Sequence, residues 1–274
     1  MPTCYRHPDR PTRISCVRCG RSICPECMHP AAVGFHCPEE VAEARRTVRA
    51  PKRSTGVRVA GRRWGVVTLV LIAVNVAVAV ATAASTLLSG GNPVNSFASP
   101  LTSELLTAPV LVDQGEWWRV VTSAFTHASV VHLALNMVAL LLFGSELERT
   151  LGKGRYLTVY LVSALGGAAS LQLFGAYAGG VVGASGAIYG LLGALGVVLV
   201  ARKQDLRGLL TLLAINLAIS LLPGVSLLGH LGGLVAGAVT AAVLLWARRH
   251  TALAVAGVAA VVVVLLLLTF GGIR

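Results

Sequence analysis

The chain has 274 residues, of which 55% are hydrophobic and 12% charged, with a mean hydropathy of +0.76. A water-soluble domain carries about a quarter charged residues, so this composition excludes a wholly soluble protein. The net charge of +12 points to an anionic lipid surface and not to nucleic acid: thirteen Lys and Arg precede Trp64, and the cluster from Arg45 to Arg63 abuts an apolar run.

In chain order, residues 1–40 come first and hold all six cysteines. No apolar leader stretch is visible in the first sixty residues, so this head is expected to stay in the cytoplasm. A reducing compartment favours metal binding over disulfides. The spacing is Cys4-x2-His7, Cys16-x2-Cys19, Cys24-x2-Cys27 and then His36-Cys37. These eight residues are expected to hold one or two structural zinc ions, because so short a segment has almost no apolar core of its own. Residues 41–63 read as a basic juxtamembrane linker with Pro51 and Gly56.

Seven apolar segments follow, at about 65–88, 130–147, 156–176, 185–202, 207–222, 228–246 and 252–270. Each is judged against the roughly 20 residues that cross a bilayer. The polar stretch 89–129, with Pro93, Pro100, Pro109 and Trp117-Trp118-Arg119, suits the membrane interface. Loop charge sets the orientation. Arg58, Arg62 and Arg63, then Arg149, Lys153 and Arg155, then Arg202, Lys203 and Arg207, then Arg248 and Arg249 fall on one side. The opposite loops, Gly175–Gly183 and Pro223–Leu228, carry no charge. The positive side is cytoplasmic, which puts 89–129 and Arg274 outside.

Polar groups at membrane depth are costly and usually functional. Ser185 opens the fourth segment within Gly183-Ala184-Ser185-Gly186, where glycines permit close approach and a helix start offers free N–H groups. Alone, such a serine is more often a packing residue. His230 opens the sixth segment, ahead of Gly233 and Gly237, a small-xxx-small face. Gly186 and Gly190 repeat that spacing in the fourth segment. If the two faces meet, His230 can act as the base that activates Ser185. Tyr189, one turn from Ser185, could pack against the imidazole. His132 and Asn136 share one face of the second segment; they suit stabilisation of an oxyanion or, equally, an interhelical clamp. His127 could be a third donor or a structural loop residue.

These motifs, in this order, resemble the rhomboid family of intramembrane serine proteases. The resemblance covers roughly 64–246: Trp118-Arg119, His132-x3-Asn136, Gly144-x3-Glu148, Gly183-Ala184-Ser185-Gly186 and His230-x2-Gly233-x3-Gly237. It implies an all-α polytopic fold, a six-helix bundle at 64–250 plus one C-terminal helix in 251–274. It implies a Ser185–His230 dyad without an aspartate, an oxyanion site of His132, Asn136 and the Ser185 N–H, and no catalytic cofactor. It also implies transmembrane protein substrates, cut near the outer face of an inner or plasma membrane. Gly183, Gly186 and Gly233 would support the site, and Glu148 would be structural. The head resembles B-box-like zinc modules, which implies that Cys4, His7, Cys24 and Cys27 share one metal. Cys16, Cys19 and Cys37 would then need a fourth ligand from His36, Glu40 or His29; the role of the head is left to a protein partner or to regulation. Two other readings compete: a catalytically inactive rhomboid-like scaffold, which the presence of both Ser185 and His230 disfavours, and a transporter, which the lack of internal repeats and of mid-membrane charges disfavours.

Overall fold

The structure is a computed structural model that describes residues 1–47, 61, 63–94, 96–176 and 179–271. Most of the expected linker, and Arg274, lie outside the described residues. The chain divides into two compact units, Met1–Thr55 and Gly56–Arg274.

The head unit is built from turns. A two-stranded hairpin pairs β1 (His29–Pro30) with β2 (Phe35–His36), and helix α1 (Pro38–Thr47) follows. Its buried apolar cluster is five cysteines and Ile23, with Tyr5, Met28 and Phe35 partly buried against them. One aliphatic side chain cannot drive folding at this size, so the cysteines must do more than pack.

The second unit is helical. Five helices are long and apolar enough to cross a membrane: α2 (Val66–Leu88), α6 (Val130–Leu151), α7 (Lys153–Phe174), α10 (Leu227–Trp246) and α11 (Thr251–Phe270). Between α2 and α6 lie three short helices, α3 (Pro100–Leu105), α4 (Pro109–Asp113) and α5 (Arg119–Thr122). Proline at the first turn starts α3 and α4, where a missing N–H costs nothing. Two apolar helices are shorter than a full span: α8 (Ser185–Ala201), whose bounds match the sequence pattern to one residue, and α9 (Arg207–Ile219), which ends three residues before the apolar run does. At about 1.5 Å per residue, the 13 residues of α9 span about 20 Å, less than the roughly 30 Å of hydrocarbon. The apolar run 207–222 overstates this helix because residues 220–224 are turns leading into Pro223. The helix α6 runs past residue 147 to Leu151, with a π-helical turn at Leu140–Gly144.

The tightest packing joins α7, α8 and α10, and glycine makes it possible. A Cβ on Gly233 would run into the Gly186 carbonyl, and one on Gly237 into the Gly190 carbonyl. Gly166 and Gly232 are pressed together in the same way between α7 and α10. In lipid there is little hydrophobic drive between helices, so such backbone-to-backbone contact supplies the dispersion energy that holds them. Large apolar side chains such as Val70, Leu135, Leu142, Val235, Val255 and Leu267 point outward, as expected for lipid-facing positions. The carboxylate of Glu148 closes the start of α2, accepting from Val67 N (3.0 Å), Thr68 N (2.8 Å) and Thr68 Oγ1 (2.9 Å). It neutralises donors that no helical carbonyl can reach.

Candidate active site

The small-residue faces of α8 and α10 meet, and this places the ends of the two helices side by side. Ser185 Oγ lies 2.8 Å from His230 Nε2. The Tyr189 ring lies under the imidazole, with centroids 4.0 Å apart and planes 7° from parallel. His230 is buried, so its ring cannot swing freely. The geometry allows the imidazole to take the hydroxyl proton.

What carries Ser185 to that position is tertiary. The extended segment ahead of it pairs with the first loop: Thr107 N donates to Val181 O (3.0 Å) and Val181 N to Thr107 O (2.8 Å). Gly183 N then donates to Ser123 O (2.9 Å). That loop is itself held by Arg119, which is almost fully buried. Its guanidinium donates to Ser103 O (2.5 Å), Leu106 O (3.1 Å) and Glu116 Oε2 (2.6 Å). Arg119 of the Trp118-Arg119 motif thus braces the loop that pairs with the segment delivering the serine.

Gly183 has φ +134°, a conformation L side chains rarely adopt. A Cβ there would sit 2.9 Å from His132 Nε2 and 3.4 Å from Ser185 Oγ. The space between those two atoms is open because residue 183 has no side chain. His132 flanks it from α6, and Asn136 follows one turn later on the same face of that helix. Asn136 Nδ2 donates to His132 O (2.8 Å), which uses one of its two amide protons and leaves one free. Ser129 caps α6 by accepting from His132 N (3.2 Å). His127 is fully buried, its ring edge-on to His132 at 5.2 Å. Burial, with His132 beside it, pushes its imidazole down to about 4, so it is neutral at physiological pH.

A small cavity of about 40 Å³ adjoins the pair, lined in part by Gly167, Gly183, Gly186, Ser226 and Gly229. It has room for about two or three waters, or for a small side chain.

The residue that sequence reasoning missed is Ser220. Its Oγ is 2.7 Å from His230 Nδ1 and 2.9 Å from the Tyr189 hydroxyl, and it donates to Asn216 O at 2.8 Å. Its one signal in the sequence was a lone hydroxyl ten residues before His230, at the end of an apolar run.

In the head, the ligand atoms of Cys4, His7, Cys24 and Cys27 lie within 4.8 Å of one another. His7 Nδ1 is 3.8, 3.3 and 3.5 Å from the sulfurs of Cys4, Cys24 and Cys27. A tetrahedral zinc requires N–S edges of about 3.6 Å and S–S edges of about 3.8 Å, from its usual bond lengths. The donor set therefore fits zinc. Burial pushes the Cys4 thiol up, but N–H groups of Cys24 and Arg6 and the His7 ring outweigh it and bring it to about 6, which favours the thiolate a metal needs. Cys16, Cys19 and Cys37 form a second group, with Cys19 and Cys37 sulfurs 3.7 Å apart. His36, His29 and Glu40 bring no ligand atom into it. His36 precedes Cys37 at the end of β2, and adjacent residues of an extended chain face opposite ways. Glu40 pairs instead with Arg18 at 3.0 Å.

Comparison with known proteins bears on the membrane unit. The family model described as Rhomboid domain matches residues 114–247. The rhomboid protease GluP of Bacillus subtilis (strain 168) is 40% identical over 140 residues, 49% of this chain and 27% of that protein. RHOMBOID-like protein 6, mitochondrial, of Arabidopsis thaliana is 39% identical over 155 residues, 52% of this chain and 50% of that protein. RHOMBOID-like protein 1 of the same plant is 40% identical over 139 residues, 48% of this chain and 36% of that protein. The chain thus spans half or less of the length of these curated relatives. Residues 114–247 are thus similar to the Rhomboid domain and to named rhomboid proteins, and the multiple apolar helices mark a multi-pass membrane protein.

Proposed function

We propose that the protein is an intramembrane serine endopeptidase that cuts transmembrane proteins through a Ser185–His230 dyad. The observation that carries this reading is the 2.8 Å contact between Ser185 Oγ and His230 Nε2 over the stacked Tyr189 ring. In the forward step, Nε2 takes the Ser185 proton while Oγ bonds to the scissile carbonyl carbon. The oxyanion is held by the Ser185 N–H with His132 and Asn136, in the space that Gly183 leaves open. His230 then gives its proton to the leaving amine as the C–N bond breaks, leaving an acyl-enzyme. A water in the adjoining cavity repeats the sequence: it loses a proton to Nε2, attacks the ester, and Ser185 recovers its proton. The cavity's small size favours small residues at the cut, and a substrate helix must unwind before its carbonyl is exposed.

The five long helices cross the membrane, and the shorter α8 and α9 complete the bundle without each filling the full hydrocarbon thickness. The head and the basic loops face the cytoplasm, and the dyad opens to the outer side. Zinc, held by Cys4, His7, Cys24 and Cys27, supplies folding energy to the head; Cys16, Cys19 and Cys37 offer three ligands for a second ion.

Purified protein reconstituted in liposomes with a transmembrane substrate tests the dyad. Ser185→Ala and His230→Ala are each expected to reduce cleavage to background. Cleavage that persists in both variants would sink the assignment and favour a scaffold that binds transmembrane clients.

A further inference from the structure

We infer that Ser220 is a positioning residue for His230: it fixes the imidazole tautomer and ties the dyad to helix α9. This rests on the protease reading above, but its spectroscopic test does not.

The argument is one of proton counting. A serine hydroxyl has one proton and two acceptor positions. Ser220 Oγ has three polar neighbours: Asn216 O at 2.8 Å, the Tyr189 hydroxyl at 2.9 Å and His230 Nδ1 at 2.7 Å. The Asn216 carbonyl can only accept, so it takes the Ser220 proton. Tyr189 and Nδ1 must then both donate to Oγ. All three contacts are satisfied in this arrangement, which matters because Ser220 is buried with 2% exposure. A proton on Nδ1 leaves Nε2 bare in the neutral ring, and Nε2 is the atom facing Ser185 Oγ. The base is therefore presented in the state that can accept a proton.

Among the described residues, no carboxylate hydrogen-bonds to His230. Ser220 occupies the place at Nδ1 that an aspartate fills in a Ser-His-Asp triad. It also holds the Tyr189 hydroxyl, so the ring stacked under the imidazole and the imidazole itself share one anchor. When His230 becomes protonated in the reaction, the Nδ1–H bond to Ser220 persists and shares the new charge.

The position of Ser220 adds a consequence. It caps the C-terminus of α9, a helix whose one buried residue is Leu209. A thinly packed helix thus sends its final hydroxyl into the centre of the site. A displacement of α9 would remove the Nδ1 acceptor and uncouple the base from the serine.

The test compares wild type, Ser220→Ala and Ser220→Thr in liposomes, with ¹⁵N-histidine labelling and with turnover of a transmembrane substrate. His230→Ala assigns the His230 signals. Wild type is expected to show Nδ1 protonated and Nε2 bare. Ser220→Ala is expected to mix the two tautomers and lower kcat by about tenfold with KM unchanged, the scale of one hydrogen bond. Ser220→Thr, which keeps a hydroxyl, restores both. A wild-type tautomer with wild-type kcat in Ser220→Ala overturns the inference, and so does a wild-type Nε2–H signal. Equal melting temperatures separate these results from misfolding. If Ser185→Ala still cleaves, the protease reading fails, while the nitrogen spectra still decide the role of Ser220.

Discussion

At the scale of single residues, the site depends as much on a missing side chain as on those present. Gly183 holds φ +134° and keeps open the space between His132 Nε2 and Ser185 Oγ. An alanine there would meet two penalties: backbone strain, and a methyl group where the oxyanion is proposed to form. Gly183→Ala is therefore expected to cut kcat by at least about 100-fold, comparable to losing an oxyanion donor. The melting temperature should fall by a few degrees as well, because the backbone strain costs about 1–3 kcal/mol, far less than what would unfold the protein at the assay temperature. Turnover in liposomes beside a thermal melt checks both halves. A loss smaller than threefold would show that the oxyanion does not occupy this space.

At the scale of elements, two devices hold the helices in register, and they differ in kind. The α8–α10 contact is made by absence, with glycine backbones touching across the interface. The α2–α6 contact is made by charge, with Glu148 reaching the first donors of α2. That carboxylate is buried at 6% exposure, so its bonds are sheltered from water. Glu148→Ala leaves buried Thr68 N without its partner and is expected to destabilise the protein by about 3 kcal/mol. Glu148→Gln keeps one acceptor and should cost roughly half as much. Melting in detergent measures both; equal stability of Glu148→Ala and wild type would exclude the capping role. The same packing shelters α8, which lies against α7 and α10 with Ala187, Ile188, Tyr189, Gly190, Leu191, Leu192, Ala194 and Val198 buried.

At the scale of the whole molecule, two units with different sources of stability share one chain. The membrane unit is held by helix packing. The head buries five cysteines and one isoleucine and is proposed to draw its stability from metal. Protein purified without chelator is expected to contain zinc, and Cys24→Ser should lose about one equivalent, because it breaks the tetrahedral set. Chelation should unfold the head, seen as rapid proteolysis within residues 1–47, while the melting of the membrane unit is unchanged. Zinc-free protein with a protease-resistant head would refute the metal assignment.

Much of this was legible in the sequence because lipid makes the code strict. Every backbone polar group in hydrocarbon must be paired internally, so apolar runs mean helices, and the few polar residues inside them stand out. That is why Ser185, His230, His132 and Asn136 could be singled out, and why the cysteine spacing suggested a metal. The charge pattern gave an expected topology, and the bounds of α8 were read to within one residue. The end of α9 was read too generously, since hydropathy cannot see where a run leaves the helix for a turn. What only the tertiary structure decided is which atoms meet. The pairing of Val181 with Thr107, the alignment of α8 with α10 through glycine backbones, and the reach of Ser220 to His230 Nδ1 join residues from 10 to 74 positions apart. No local propensity encodes them, because they follow from how rigid helices of unequal length fit against one another.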